Sequence, residues 1–307
     1  MRIDEIVQRG EPSFSVEFFP YKTDEGREEL FETVRVLAEL EPSFFSVTYG
    51  AGGSTHDRRR TLEITRAIRD EHGVEAMAHL NCVGETAEGL RSVVDEIAES
   101  GIENVLALRG DPPSGQPDFV QPDGGLGSAT ELAAMISEAH PELAIGGACF
   151  PEVHPEAESL ERDLEYLKTK VDAGARFLIT QLFFDNQAYF DFVPAARAAG
   201  VNVPILAGIV PIAGYKQVQR VCDLCDATIP EPLGEALAAL GGDERAEYEF
   251  GIAYGAQQCS QLLAHGAPGI HFYALNRWPA TKAILGALRA ARPWDRAPSE
   301  PLGLPAS

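Results

Sequence analysis

Cysteine is scarce in this chain, and so is positive charge. Five cysteines stand at positions 82, 149, 222, 225 and 259 of 307 residues, too few and too scattered for a disulfide framework. Cys222 and Cys225 form a C-x-x-C pair, but no second pair or histidine follows at zinc spacing. They read as two ordinary thiols on a helix. Lys and Arg number 25 against 47 Asp and Glu, a net charge of −22 and a pI near 4.6. Such a surface repels phosphate backbones and anionic membranes, which argues against a nucleic-acid partner. A solubility adaptation, for instance to salt, accounts for the same excess. The start, Met1-Arg2-Ile3-Asp4-Glu5, has no apolar signal region, and no run of about 18 apolar residues occurs anywhere. A soluble, cytoplasmic protein with no membrane partner is expected. Also missing are G-x-G-x-x-G, G-x-x-x-x-G-K-[ST], H-x-H, H-E-x-x-H and G-x-S-x-G. Their absence argues against a doubly wound nucleotide fold, against a metal centre and against a serine hydrolase.

What is present is alternation. Apolar, strand-like runs occur at 14–19, 44–49, 76–81, 104–108, 145–150, 177–183, 204–210 and 270–275. Helix-like stretches separate them, among them Thr23–Leu40, Asp57–Glu71, Thr86–Ser100, Ala129–Ala139, Ser159–Ala173, Gln187–Ala199 and Tyr215–Cys225, with a further helical region over about 233–265. Many strands follow a glycine placed to end the preceding helix, as in Gly73-Val74, Gly101-Ile102, Gly174-Ala175, Gly200-Val201 and Gly269-Ile270. Strand–helix alternation means parallel strands, and eight is the number that closes a barrel. The expected fold is α/β, a single eight-stranded parallel (β/α)8 TIM barrel over residues 1–292. Residues 293–307, with four prolines, read as a disordered tail. The Pro-, Gly- and Asp-rich stretch Asp111–Gly127 reads as a long loop after the fourth strand.

One residue stands out in the first strand. Phe14-Ser15-Val16-Glu17-Phe18-Phe19-Pro20 places Ser15, Glu17 and Phe19 on one face and Phe14, Val16 and Phe18 on the other. A carboxylate covered on both faces is disfavoured in its charged form, the condition for a general acid near neutral pH. A sheet-edge carboxylate, or one paired with a buried Arg, fits this segment equally well. Barrel active sites lie at the carboxyl ends of the strands. Those ends offer Glu17, Thr48-Tyr49-Gly50, His79 and Asn81, Arg109-Gly110-Asp111, Pro151–His154, Gln181, Pro211 and Asn276-Arg277 in turn. Singly, each has a plainer reading: a core histidine, a local Arg–Asp pair, a loop histidine, a satisfied amide. Together they read as a site. Phe18, Phe19, Tyr49, Phe150, Phe183, Phe184 and Tyr273 add aromatic walls suited to a flat heteroaromatic ligand.

These segments carry a resemblance. Val16-Glu17-Phe18-Phe19-Pro20, Ser46–Ala51, Ala78-His79-Leu80-Asn81-Cys82, Ala107–Pro112, Phe150–Ala157, Lys170–Ala175, Ile179–Phe184 and His271–Arg277 resemble, in order from about 12 to 290, the methylenetetrahydrofolate reductase family. The resemblance implies an eight-stranded α/β barrel and a flavoenzyme of one-carbon metabolism and methionine biosynthesis. It would reduce 5,10-methylenetetrahydrofolate to 5-methyltetrahydrofolate, with NADH or NADPH as hydride donor through FAD. By position, Glu17 is implied as general acid and Asp111 as the carboxylate beside flavin and pterin. Thr48, Tyr49, Ala51, His79, Arg109, Gly110, Phe150, His154, Ala157, Asp163 and Lys170 match flavin-contacting positions. Gln181, Gln217 and Arg277 match positions that contact folate or nicotinamide. The sequence departs from the family pattern at Tyr21, Phe150, Ser128, Tyr166, Thr169 and Val221. Two other readings are an electron source other than NAD(P)H and a folate- or flavin-binding subunit without turnover. A homo-oligomer is expected.

Overall fold

A computed structural model of the chain describes residues 1–49, 55–112 and 119–295. Eight parallel strands follow one another around a closed barrel: β1 Ser13–Phe18, β2 Phe44–Val47, β3 Ala76–Asn81, β4 Asn104–Leu108, β5 Ala144–Cys149, β6 Ala175–Thr180, β7 Ile205–Ile209 and β8 Gly269–Tyr273. The helices are α1 Ile3–Ile6, α2 Asp24–Ala38, α3 Thr55–His72, α4 Ala87–Glu99, α5 Ala129–Ala139, α6 Leu160–Asp172, α7 Asn186–Ala198, α8 Tyr215–Cys225, α9 Glu231–Ala239, α10 Glu244–Ala264 and α11 Trp278–Ala291. The expected barrel is therefore present, and its strands fall within about two residues of the apolar runs over most of their length.

The helix starts follow from short polar side chains. Thr23, Thr86, Ser128, Ser159, Asp185 and Asp243 each accept a hydrogen bond from a backbone N–H in the first turn that they open. Ser128, one of the departures from the family pattern, is thus a helix cap. The helical region expected over 233–265 begins at 231 and is broken in two. Gly241 and Gly242 adopt φ of 64° and 84°, which ends α9 before Asp243 caps α10. Beyond α11, Pro293–Asp295 form a turn of 3-10 helix that sets Trp294 5.7 Å from the Phe14 ring. Residues 296–307 lie outside the described residues.

Register decides what fills the barrel. Ser15 pairs with Phe44 on one side and His271 on the other, and Glu17 with Ser46 and Tyr273. Paired residues in neighbouring strands point the same way, so Ser15, Glu17, Phe44, Ser46, His271 and Tyr273 share the interior. The lower interior is apolar: Phe44, Met77, Leu106, Ala144, Phe177, Ile179 and Leu206 pack there with Ile3 and Val7. Those last two come from α1 and the residue after it, a plug held where the Ile3 N–H donates to Asn104 Oδ1 at 2.7 Å. The plug is too short to be read from periodicity.

Glycine makes room where β6, β7 and β8 meet. A Cβ on Gly208 would stand 2.2 Å from the Thr180 carbonyl oxygen and 2.7 Å from the Tyr273 ring. Backbone cannot yield as a flexible side chain does. Gly208→Ala is expected to destabilise by about 1–3 kcal/mol, lowering Tm by several degrees in calorimetry. An unchanged Tm would show that the strand shifts freely.

Candidate active site

Glu17 enters the upper interior from β1 and is 7% exposed. Two imidazoles converge on it. Nε2 of His79, from β3, and Nε2 of His271, from β8, each lie 3.5 Å from Glu17 Oε2. The other ring nitrogen of His271 is 2.7 Å from Ser15 Oγ, and its ring stacks on Phe44 at 6.1 Å. Ser15, His271 and Glu17 therefore form a continuous polar chain from the apolar plug to the mouth. Among the described residues no Arg pairs with Glu17, and β1 is no sheet edge. Burial, offset by Glu17 and reinforced by His271, pushes His79 down to about 4. Its ring is neutral at pH 7, and its Nε2 has no hydrogen-bond partner. Tyr273 closes the group from above: its hydroxyl donates to the Thr180 carbonyl at 2.7 Å, and burial, then Glu17, raises its pKa.

The loops after β4 and β5 form a second cluster. Arg109 makes a two-pronged pair with Glu156, at 2.5 and 2.8 Å, and its guanidinium lies 5.1 Å from the Phe119 ring centre. That hydrogen bond holds the Glu156 carboxyl below its usual range. Gly110 follows with φ of 88°, and a Cβ there would meet Val83 at 2.6 Å, so only glycine fits. Asp111 is exposed beyond it. In the β5 loop the rings of Phe150 and His154 meet edge-on at 4.5 Å. The His154 N–H donates to Asp163 Oδ2 at 2.9 Å, and the Glu156 N–H donates to His154 Nδ1 at 3.1 Å. An accepting Nδ1 leaves the ring proton on Nε2. Ala157 N–H donates to the His154 carbonyl, and Val153 carries φ of 69° in the same turn. A β-branched residue holds that conformation only where its surroundings over-determine it.

The remaining expected residues are placed as follows. Lys170 is buried, with Nζ donating to the Ala148 carbonyl at 2.6 Å, and burial lowers its pKa. Its stem lies over Gly147, where a Cβ would stand 2.8 Å from Lys170 Cδ. Thr48 donates its N–H to the Phe18 carbonyl, and Tyr49 is buried; Ala51 lies outside the described residues. Gln181 accepts its neighbour Leu182 N–H on Oε1. Gln217 uses both ends of its amide on the β7–α8 loop, accepting from Ala213 N–H and donating to the Pro211 carbonyl. Arg277 is exposed at the start of α11. Thus Glu17 and His79 are brought together, as are Arg109, Phe150, His154 and Asp163, while Gln217 is engaged within its own loop.

Three neighbours were not singled out from the sequence. His271 and Ser15 lie two residues from Tyr273 and Glu17, so strand alternation alone puts them on the interior face. The third is Cys225, whose spacing alone reads as an ordinary helical thiol. Burial first, then Asp111 and Glu17, raises its pKa. Among the described residues, no group of three or more His, Cys, Asp or Glu side chains could hold a metal ion. None of the helices among the described residues is long and apolar enough to cross a membrane. An unpartnered imidazole, a forked cation, an exposed carboxylate and aromatic edges suit a planar ring system with an anionic tail.

A family model described as methylenetetrahydrofolate reductase matches residues 2–289. Methylenetetrahydrofolate reductase (NADH) 1 of Arabidopsis thaliana is 40% identical over 297 residues, covering 94% of this chain and 49% of the plant protein. The chain thus spans about half the length of the plant relatives it matches. The 5,10-methylenetetrahydrofolate reductase of Escherichia coli (strain K12) is 36% identical over 282 residues, 91% of this chain and 92% of that protein. Among solved structures, an uncharacterised protein from Clostridium thermocellum that binds two copies of 5-methyl-5,6,7,8-tetrahydrofolic acid superposes with a TM-score of 0.65. At 16% identity, over 95% of this chain and 99% of that one, it shares the fold.

The neutral His79 has a consequence for stability. Folded, it protonates near 4; unfolded, near its ordinary 6.5. Between those values the unfolded chain binds more protons, so stability rises with pH across the window and is lost as pH falls through it. The slope for one such group is at most about 1.4 kcal/mol per pH unit. Urea titrations through the window should give a shallower pH dependence for His79→Gln than for the wild type. Identical slopes would remove His79 from the account.

Proposed function

From its place in the methylenetetrahydrofolate reductase family, to which this chain belongs, we propose that it reduces 5,10-methylenetetrahydrofolate to 5-methyltetrahydrofolate. The hydride comes from NADH or NADPH by way of FAD, and the two substrates use one barrel mouth in turn. The observation that carries the reading is the buried Glu17 carboxyl between two imidazoles. NADH in the names of the plant relatives supports the nicotinamide donor.

A bound FAD would supply the two-electron store that takes hydride from nicotinamide and releases it to folate. The cofactor would be held by the cluster at the mouth: His79 with its unpartnered Nε2, Arg109 and Gly110, the Phe150–His154 turn with Ala157, and Asp163 behind it. Thr48 and Tyr49 would complete that surface from β2, with Lys170 fixing β5 beneath it. Glu17 delivers a proton to the substrate nitrogen that leaves the methylene carbon as the five-membered ring opens. The resulting iminium carbon is the hydride acceptor. Ser15 and His271 orient the Glu17 carboxyl, and the apolar plug below keeps bulk water from it. Asp111 accepts hydrogen bonds from the pterin edge. Gln181 meets the substrate from β6, and Arg277 offers a planar two-donor partner to the carboxylates of the folate tail.

The two half-reactions separate in one preparation. The purified protein with FAD should show a flavin spectrum that NADH or NADPH bleaches and methylenetetrahydrofolate restores. In Glu17→Gln, bleaching should persist while reoxidation by folate slows roughly a hundred- to ten-thousand-fold. Equal reoxidation would take Glu17 out of the mechanism. A bound flavin that neither nucleotide bleaches would shift the electron source to another carrier.

A further inference from the structure

The seam where the barrel closes ends in a strained turn. Backbone pairing between β1 and β8 runs from Ser13↔Gly269 to Glu17↔Tyr273 and stops there. Just beyond, Leu275 and Asn276 stand at φ of 52° and 57°. Two successive non-glycine residues in the left-handed region persist only where the surroundings hold them. What holds them is the Asn276 carboxamide. Its Oδ1 accepts the Phe19 N–H at 2.8 Å and its Nδ2 donates to the Phe19 carbonyl at 2.9 Å. A carboxamide carries the same donor and acceptor as a peptide group, so this side chain extends the ladder past the point where the strands part. The buried Thr33 hydroxyl, from α2, donates to the Asn276 carbonyl at 3.1 Å. The Arg277 N–H donates to Ala274 at 2.9 Å.

We infer that Asn276 is a positioning residue, whose two-point clamp on Phe19 sets the span between the end of the Glu17 strand and Arg277 where the seam opens into the mouth. Phe19, 42% exposed, lies two residues after Glu17, and Arg277 directly follows Asn276. The clamp therefore ties the backbone that carries the acid to the backbone that carries the cation through a single side chain. Asn suits the place on two counts. It tolerates φ near +57° better than other side chains of its size, and it offers both a donor and an acceptor where Asp offers only acceptors. The inference rests on the proposed folate substrate only for the part played by Arg277; the clamp itself does not.

Asn276→Gly keeps the left-handed turn without strain and removes the carboxamide. In hydrogen-exchange mass spectrometry, peptides spanning Phe18–Phe19 should exchange about tenfold faster than in the wild type, as expected for a lost hydrogen bond. KM for methylenetetrahydrofolate, and Kd for 5-methyltetrahydrofolate followed by fluorescence, should rise about tenfold, with kcat falling less. Asn276→Asp, which keeps the acceptor for the Phe19 N–H, should fall between wild type and Asn276→Gly. Unchanged exchange at Phe19 overturns the clamp. Faster exchange with unchanged KM and Kd overturns the positioning role. A wild type that binds and reduces no folate would overturn the proposed function instead, while the exchange comparison still decides the clamp.

Discussion

The pairing of the first strand with the last is the constraint on which the site depends. β1 and β8 lie about 255 residues apart in the chain, yet their register puts Ser15 beside His271 and Glu17 beside Tyr273. Closing that seam removes the last free strand edges and assembles a polar chain from residues with no local reason to meet. Slipping the register by one residue would turn Glu17 outward and leave a phenylalanine or valine in its place. Fold closure and site construction are therefore one event.

Polar groups inside a packed barrel are costly unless partnered. The interior manages this by asymmetry. Below, Phe44, Leu106, Phe177 and Leu206 close the barrel with the α1 plug. Above, Ser15, His271, Glu17 and His79 occupy the β8–β1–β3 side, while Gly208 and the Tyr273–Thr180 bond tighten the β6–β8 side. Among the described residues, the one buried imidazole nitrogen left unpartnered belongs to His79 and lies beside the Glu17 carboxyl. The Arg109 fork is engaged by Glu156, so the cation at the mouth is held in place by the chain itself.

Much of the fold was legible from alternation. Gly73, Gly101, Gly174 and Gly200 marked helix ends, because a left-handed glycine acts on the chain within one helical turn, whereas Gly269 opens β8 and Gly266 follows α10 in its place. Gly241-Gly242 broke the last long helix for the same local reason, but a broad apolar pattern hid it. α1 was not legible, since four residues carry no period. In the site, Glu17 was conspicuous because an acid inside an apolar run breaks the pattern. His271 and Glu156 broke no pattern: one sits in an ordinary strand, the other in a charged loop. Their significance comes from partners 254 and 47 residues away.

By itself the sequence determined the eight strand–helix units, the common face that Ser15 and Glu17 share, and the family to which the chain belongs. These follow from periodicity, capping chemistry and contiguous motifs, all of which act over short stretches. Only the tertiary structure decided which histidines face Glu17, that Gln217 is engaged within its own loop, and that Asn276 clamps Phe19. Those outcomes depend on register and barrel closure, which are set by long-range pairing and by the packing of a shared interior.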